Sequence, residues 1–233
     1  MSSPESLESR KTINEESKKI FKRIPVYFFG IFLMGLGINL SKLAGLGITP
    51  VSSIPYAIEL ITGIKLGTVT IYMNLVFIAL QVAILGREFK LRSCLQFFCA
   101  FFIGISINVS SPDSIFLYMI PTPESYLYRL LLCAISCVVC GIGIYTYVSA
   151  KLIPIPGEGL ILSIVEKSRG KLEFHKVKIT SDVIMVIISA SLSLIFLGAL
   201  KSVREGTIIA AILVGVAVGW CKRIHDKILS FRK

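Results

Sequence analysis

The sequence of 233 residues is poor in charge: Asp, Glu, Lys and Arg make up 17% of it, against about 25% in a soluble domain. Histidine occurs twice and tryptophan once, while 54% of the residues are hydrophobic and the mean hydropathy is +0.78. This composition excludes a soluble enzyme and a disordered protein. Because the apolar residues lie in long blocks, the chain is interpreted as an all-α polytopic membrane protein.

The sequence also lacks the motifs that carry catalysis. It contains no P-loop, no H-E-x-x-H helix and no G-x-S-x-G turn. Its six cysteines lie in or beside apolar stretches, which excludes a disulfide-stapled secreted module. Cys133, Cys137 and Cys140 share one helical face, but no histidine or carboxylate accompanies them. We therefore expect no enzyme activity, no cofactor and no metal site.

Long apolar runs predict six membrane-spanning helices, at 24–44, 67–86, 93–110, 126–150, 179–200 and 206–221. Two shorter apolar pieces, 50–62 and 154–166, each begin with proline and end near glycine, as helices do. At about 1.5 Å per residue, about 13 residues reach only about 20 Å, which is short of a bilayer core of about 30 Å. Both pieces are therefore predicted to be re-entrant half-helices that dip into the membrane and return.

The basic residues predict which side of the membrane each loop faces. With re-entrant short pieces and a cytosolic N-terminus, most of the 25 Lys and Arg residues fall on the cytosolic side. The exceptions are Lys42, Lys65, Arg129, Lys201 and Arg204. If both short pieces spanned, the basic segment 87–92 would instead lie outside. We therefore predict cytosolic N- and C-termini and interpret the net charge of +11 as an orientation signal.

The two halves of the chain resemble each other at an offset of 106 residues. The pattern G-x-G-I-x5-A-x-L-x3-P begins at Gly35 in the first half and at Gly141 in the second. Because each half has three predicted spans, the second must enter the membrane from the opposite side, giving an inverted-topology repeat. The predicted domains are a polar cytosolic tail 1–23, a first membrane repeat 24–112, a second membrane repeat 126–222 and a basic cytosolic tail 223–233.

Short glycine-rich motifs give the chain a family resemblance. They lie at 46–50 (L-G-I-T-P), 62–71 (T-G-I-K-L-G-T-V-T-I), 156–160 (P-G-E-G-L), 174–177 and 205–207. With these motifs the chain resembles the YczE/YyaS/YitT family of bacterial integral membrane proteins, closest to its YczE-like branch, over about residues 25–222. The resemblance implies the fold and a bacterial inner-membrane location. It also implies an acidic residue two positions after each repeat proline, which Glu158 supplies and Ser52 does not.

Ionisable residues at membrane depth are functional candidates, because inserting one costs about 2.5–3.5 kcal/mol. Glu158 is a candidate for proton coupling, and the alternative is that it caps its own half-helix. Asp182 and its counterpart Asn74 are candidates to line a shared cavity, with interfacial exposure as the alternative for Asp182. The predicted substrate-binding residues, where the two half-helices meet, are Pro50, Ser52, Asn74, Pro156, Glu158, Gly159 and Asp182.

These features predict a small-solute transporter or channel with its site at the repeat interface. The alternatives are a non-transporting regulatory or scaffolding membrane protein and the substrate-binding subunit of an energy-coupled importer. Equally, the proline breaks could serve packing alone. The expected partners are the lipid bilayer, with anionic lipid at its cytosolic face, and a small solute. Nucleic acid is not expected, and a homo-oligomer is left open.

Overall fold

Proline and glycine mark many of the helix ends in the computed structural model, which describes residues 4–89, 91–112 and 117–230. Those ranges contain helices and no β-strand. The α-helices are α1 (Pro4–Ala44), α2 (Pro50–Thr62), α3 (Leu66–Leu85), α4 (Gln96–Val109), α5 (Tyr126–Ser149), α6 (Pro156–Lys167), α7 (Phe174–Leu197) and α8 (Glu205–Ser230). Two 3-10 helices, Gly86–Glu88 and Leu91–Leu95, connect α3 to α4.

The two short helices, α2 and α6, lie where the sequence predicts short apolar pieces. Each has proline at its first position, where the missing N–H would have had no intrahelical partner anyway. α2 ends at Gly63, whose φ of 76° is the left-handed conformation that glycine adopts without steric cost. With 13 and 12 residues, both helices are too short to cross a bilayer core of about 30 Å.

Five helical segments are long and apolar enough to span a membrane: Ile20–Ala44, Leu66–Glu88, Tyr126–Ser149, Phe174–Leu197 and Glu205–Ile228. The sixth predicted span, 93–110, corresponds to a shorter apolar helix. Its α-helical part has 14 residues, or about 21 Å, and the preceding 3-10 helix lengthens it at about 2 Å per residue. The regular secondary structure of the described residues is thus entirely helical, and the five long apolar helices fit a multi-pass membrane protein. α1 runs without interruption from Pro4 to Ala44, through residue 23, where the polar tail is predicted to end.

Glycines bring α1 and α5 into backbone contact. A Cβ added to Gly30 would lie 2.8 Å from the Gly143 carbonyl oxygen, and one added to Gly143 would lie 2.8 Å from the Gly30 carbonyl oxygen. Gly37 approaches α5 in the same way, at the backbone nitrogen of Cys140. Small residues at such crossings are the usual means of packing helices closely in membranes.

The other helices surround this central pair. α1 also packs against α4, and α5 against α8. Each short helix packs mainly against a helix of the other half of the chain, α2 against α7 and α6 against α3. One apolar cluster surrounds the α1–α5 crossing, and another joins α5 to the start of α8.

Replacing Gly143 by alanine should destabilise the protein by about 1–3 kcal/mol, because the added methyl group would overlap the backbone of α1. Gly215→Ala is the matched control, since a Cβ at this helical glycine meets no atom within 4 Å. Thermal unfolding in detergent should show a lower Tm for Gly143→Ala and no decrease for Gly215→Ala. An equal Tm for both variants would contradict the close α1–α5 crossing.

Candidate functional site

The start of α6 carries a group of polar side chains where α5, α6 and α7 come together. Glu158, in the first turn of α6, interacts electrostatically with Tyr147 of α5 and Lys178 of α7. Lys178 also forms an ion pair with Asp182, at 3.3 Å. The Lys178 ammonium therefore interacts with two carboxylates, and we call Tyr147, Glu158, Lys178 and Asp182 the Glu158 cluster.

One oxygen in the Glu158 cluster, Oδ1 of Asp182, is buried without a hydrogen-bond partner. The Tyr147 hydroxyl is buried as well and interacts with the Glu158 carboxylate. A buried polar atom without a partner costs about 1–3 kcal/mol. Most such atoms in proteins are paired with protein or ordered water. The unpaired oxygen of Asp182, beside the Lys178–Asp182 ion pair, makes this cluster the candidate functional site.

Two buried glutamines support the backbone of the same helical turn. Nε2 of Gln81, in α3, donates to Oε1 of Gln96 at 2.9 Å and to the carbonyl oxygen of Pro156 at 3.0 Å. Gly159 lies directly against this pair, since a Cβ there would be 2.8 Å from Oε1 of Gln81. The first turn of α6 is therefore held by the side-chain amide of Gln81 in α3, which also donates to Gln96 of α4.

Tyr27 of α1 holds the loop before α6. Its hydroxyl donates to the carbonyl oxygen of Ile153 at 2.8 Å and lies 2.9 Å from Sγ of Cys99. The ring of Tyr27 packs edge-on against Tyr147, with centroids 6.0 Å apart. The loop and the Glu158 cluster are thereby connected to the central helix pair.

The start of α2 is also polar, but it carries no charged side chain, and its hydroxyl groups hydrogen-bond within the protein. Ser53 donates to the carbonyl oxygen of Pro50 at 2.7 Å, and Ser189 of α7 donates to the carbonyl oxygen of Ser53 at 2.8 Å. Ser189 and Ser202 lie 2.9 Å apart. These hydroxyls bond one another and the backbone, so this region fixes α2 onto α7.

An apolar layer lies between the two short helices. It consists of Val51, Ile54, Phe77, Leu160 and Met185, from α2, α3, α6 and α7. A Cβ at Gly157 would be 3.7 Å from both Val51 and Phe77, so the two helix starts meet through apolar side chains. The predicted junction is therefore closed by hydrocarbon in this conformation.

The predicted site residues fall into two groups. Pro156, Glu158, Gly159 and Asp182 lie at or beside the Glu158 cluster. Pro50 and Ser52 are buried at the start of α2, where Ser52 accepts a hydrogen bond from Thr49 at 3.2 Å. Asn74 is buried on α3. The structure does not bring these seven residues into one cavity.

Sequence reasoning missed Gln81, Gln96, Tyr147 and Lys178. Gln81 carried a usable signal, because an amide within an apolar helix is expected to hydrogen-bond across helices. Lys178 carried a weaker one, since it lies four residues before Asp182 on the same helix. Nothing in the sequence indicates that Gln81 and Gln96 lie together.

Gly159→Ala should destabilise the protein, because its methyl group would displace the hydrogen-bonded amides of Gln81 and Gln96. Gly157→Ala is the control, two residues earlier, where the nearest atoms to an added Cβ are at an ordinary 3.7 Å. We expect a Tm decrease for Gly159→Ala of several degrees relative to Gly157→Ala, measured in detergent. A smaller decrease for Gly159→Ala than for Gly157→Ala would disprove the proposed role of the amides.

Comparison with known proteins gives a family and one distant relative. An uncharacterized protein of Haemophilus influenzae is 25% identical over 205 residues, which cover 85% of this chain and 82% of that protein. No solved structure matches the chain. The model of DUF6198, a family of unknown function, matches residues 21–223. Since this match covers most of the chain, including every helix that positions the Glu158 cluster, the protein belongs to the DUF6198 family.

Proposed function

We propose that the protein consists of two inverted repeats in a bacterial inner membrane, with six spans, two re-entrant helices and cytosolic termini. The packing supports this, because exchanging helices of the first half for their counterparts in the second gives several equivalent contacts, although α3 packs on α4 and α7 does not pack on α8 in the same way. α1 packs on α4 as α5 packs on α8, and α2 packs on α7 as α6 packs on α3. Gly35 contacts α4 while its counterpart Gly141 contacts α8. The same arrangement favours kinship with the YczE/YyaS/YitT family.

The function that the site supports best is transport of a small solute, with Glu158 as the central polar group. The observation that carries the proposal is the Glu158 cluster itself: a partly buried carboxylate that interacts with Lys178 and with the buried Tyr147 hydroxyl, beside the unpaired Oδ1 of Asp182. Such groups are expensive at membrane depth unless they bind something. Broken helices that expose polar backbone are how many secondary transporters build their sites.

In this proposal the apolar layer is the closed barrier of a transport cycle. The Glu158 cluster lies next to α7's first two turns, which the basic residues predict to be near the cytosol. The side chains of Phe77, Leu160 and Met185 separate it from the serines that bind α2. Relative movement of the two halves about the α1–α5 crossing would transfer access from one side to the other.

The same apolar layer also favours a second candidate, a non-transporting membrane protein that regulates or scaffolds others. A non-transporting protein needs no pathway for a solute, so an apolar layer that closes the space between α2 and α6 suits it. This candidate requires an accessible surface, such as the polar N-terminal residues. Deleting residues 1–20 should then abolish function while the helices remain folded, whereas a transporter should keep its flux.

Glu158→Gln should reduce solute flux to the level of empty liposomes. An amide cannot ionise, so it can neither exchange a proton nor bind a charged group beside Lys178. Glu173→Gln is the matched control, since Glu173 precedes α7 and its side chain is 71% exposed. Purified proteins would be reconstituted in liposomes containing a pH-sensitive dye. They would be challenged with amino acids, sugars, nucleosides and carboxylates, and the lumen would be analysed by mass spectrometry.

Both variants should elute and unfold like the wild type in detergent, which separates lost transport from lost folding. Normal flux in Glu158→Gln would remove Glu158 from the mechanism. Wild-type liposomes that take up none of the solutes, and show no lumenal pH change, would contradict transport and favour the second candidate.

A further inference from the structure

In the part of the chain that the structure describes, the α-helices of the two halves pack alike except at one joint. In the first half α3 lies against α4, whereas the corresponding helices α7 and α8 are not packed together along their lengths. In their most apolar stretches, 39% of the residues of α3 are buried but only 17% of those of α7. The second half thus has an open space where the first half has a helix joint.

The α3–α4 joint is a close crossing that is fastened by hydrogen bonds. A Cβ added to Gly104 would overlap the side chain of Ile71 and lie 2.5 Å from the carbonyl oxygen of Gly67. Beside this crossing, the side chain of Asn108 accepts from the backbone N–H of Gly67 at 3.0 Å and donates to Oγ1 of Thr68 at 3.1 Å. Glycine therefore brings the two backbones together, and the amide holds them there.

Contacts with the central helix pair show which residues of α8 correspond to residues of α4. A Cβ added to Gly35 of α1 would lie 3.1 Å from the backbone nitrogen of Ile107 in α4. A Cβ added to its counterpart Gly141, in α5, would lie 3.2 Å from the backbone nitrogen of Val218 in α8. Ile107 and Val218 are therefore equivalent positions in the two halves.

Two glycines of α8 take the places of the residues that make the α3–α4 joint. Gly215 and Gly104 each lie three residues before the equivalent positions. Gly219 and Asn108 each follow those positions by one residue. An added Cβ at either glycine of α8 meets no atom within 4 Å. The face of α8 that corresponds to the joint is therefore open, and it has no side chain to fasten a neighbouring helix.

A second pair of equivalent contacts relates α7 to α3. Gln81 of α3 donates to a backbone carbonyl in the first turn of α6, and Ser189 of α7 donates to one in the first turn of α2. Ile71 lies ten residues before Gln81, and Ile179 lies ten residues before Ser189. Ile179, which is 51% exposed, is therefore the α7 residue expected to meet Gly215.

Large and small residues are exchanged between the two halves at this joint. In the first half, Gly67 faces Asn108. In the same register, the second half has His175 in the place of Gly67 and Gly219 in the place of Asn108. The glycine of α8 thus leaves room for the larger residue of α7, so the two helices can pack without the hydrogen bonds that fasten α3 to α4.

The second half of α7 provides a pivot. The hydroxyls of Ser189 and Ser202 lie 2.9 Å apart. Oγ of Ser193 accepts from the backbone N–H groups of Lys201 and Ser202, at 3.2 and 3.3 Å. These hydrogen bonds join the end of α7 to the segment that leads into α8. A tilt of α7 about this end would bring its first turns towards α8.

We propose that α7 is a gate that closes against α8 at Gly215 and Gly219, and that the structure shows this gate open. The α3–α4 joint is the reference for the closed position, which is why α7 itself, and not another chain, is assigned to the open face. Lys178 is adjacent to Ile179, so closing would move it relative to Glu158 and couple the gate to the Glu158 cluster. The gate's role in transport rests on the proposed function, but its movement can be measured without a solute.

The movement is tested by disulfide trapping in the purified full-length protein. Ile179→Cys and Gly215→Cys are introduced together, after the two cysteines that are not buried, Cys94 and Cys221, are replaced by serine. A disulfide needs Cβ atoms about 3.8 Å apart, and a Cβ at residue 215 meets no atom within 4 Å in the open conformation. Copper phenanthroline should therefore link only those molecules whose gate closes.

Trypsin cleaves between α7 and α8, so the disulfide would join peptides 179–201 and 205–222, which mass spectrometry identifies. Ile195→Cys with Gly215→Cys is the matched control, because Ile195 is 74% exposed and lies in the same α7 peptide, but at the pivot end. The pair with Ile179→Cys should link about tenfold or more faster than the control, since closing raises the effective concentration of one thiol at the other.

Gly219→Leu, added to the Ile179→Cys and Gly215→Cys pair, should reduce linking to the rate of the control. Leucine would fill the place that His175 takes in the closed joint. In the open conformation a Cβ at Gly219 meets no atom within 4 Å, so the Tm in detergent should not decrease. Linking that Gly219→Leu leaves unchanged would overturn the proposed joint.

The proposal would also be overturned if the pair with Ile179→Cys linked no faster than the control. Linked peptides found only in a dimer on a non-reducing gel would do the same, because they would assign the open face of α8 to a second copy of the chain. Solute flux without linking would remove the gate and leave the transport proposal standing. Linking within one chain that takes up no solute would support the gate and contradict transport.

Discussion

The close crossing of α1 and α5 is the constraint on which the rest of the structure depends. Gly30 and Gly143 face each other at a separation that leaves no room for a side chain, so the two helices pack backbone against backbone. Gly35 and Gly141 then bring in α4 and α8. With these four helices in place, α2 and α6 reach the opposite half of the chain, where α7 and α3 cover them. Their broken backbone is thereby kept inside protein, as a bilayer requires.

The polar chemistry is divided between two ends of this framework, with hydrocarbon between them. Asn39 and Glu59 each have a buried oxygen without a hydrogen-bond partner at one end, and Asp182 has one near the other. The serines at the start of α2, in contrast, bond one another and the backbone. A buried polar atom without a partner lowers stability. In the transport proposal, Phe77 and its apolar neighbours form the barrier beside the Glu158 cluster.

Much of the fold could be predicted from the sequence, because its signals are local. Proline and glycine gave α2 the bounds 50–62, which the structure reproduces, and placed α6 within two residues. Hydropathy predicted the long helices but not the 3-10 start of α4, since composition does not encode that change of geometry. Glu158 and Asp182 could be selected because charge is conspicuous in apolar sequence. Gln81 and Gln96 could not be paired, because their contact is made only when α3, α4 and α6 pack together.

The claim that the halves are inverted, with short helices that return to their own side, is tested by the sidedness of two turns. Gly63 and Gly170 lie in equivalent turns after α2 and α6, where an added Cβ meets no atom within 4 Å, so an epitope tag can be inserted at each. Antibody binding is then measured on intact and permeabilised spheroplasts of a bacterial host. The account predicts that the Gly63 tag is bound on intact spheroplasts and the Gly170 tag only after permeabilisation. Both tags on the same side would contradict it.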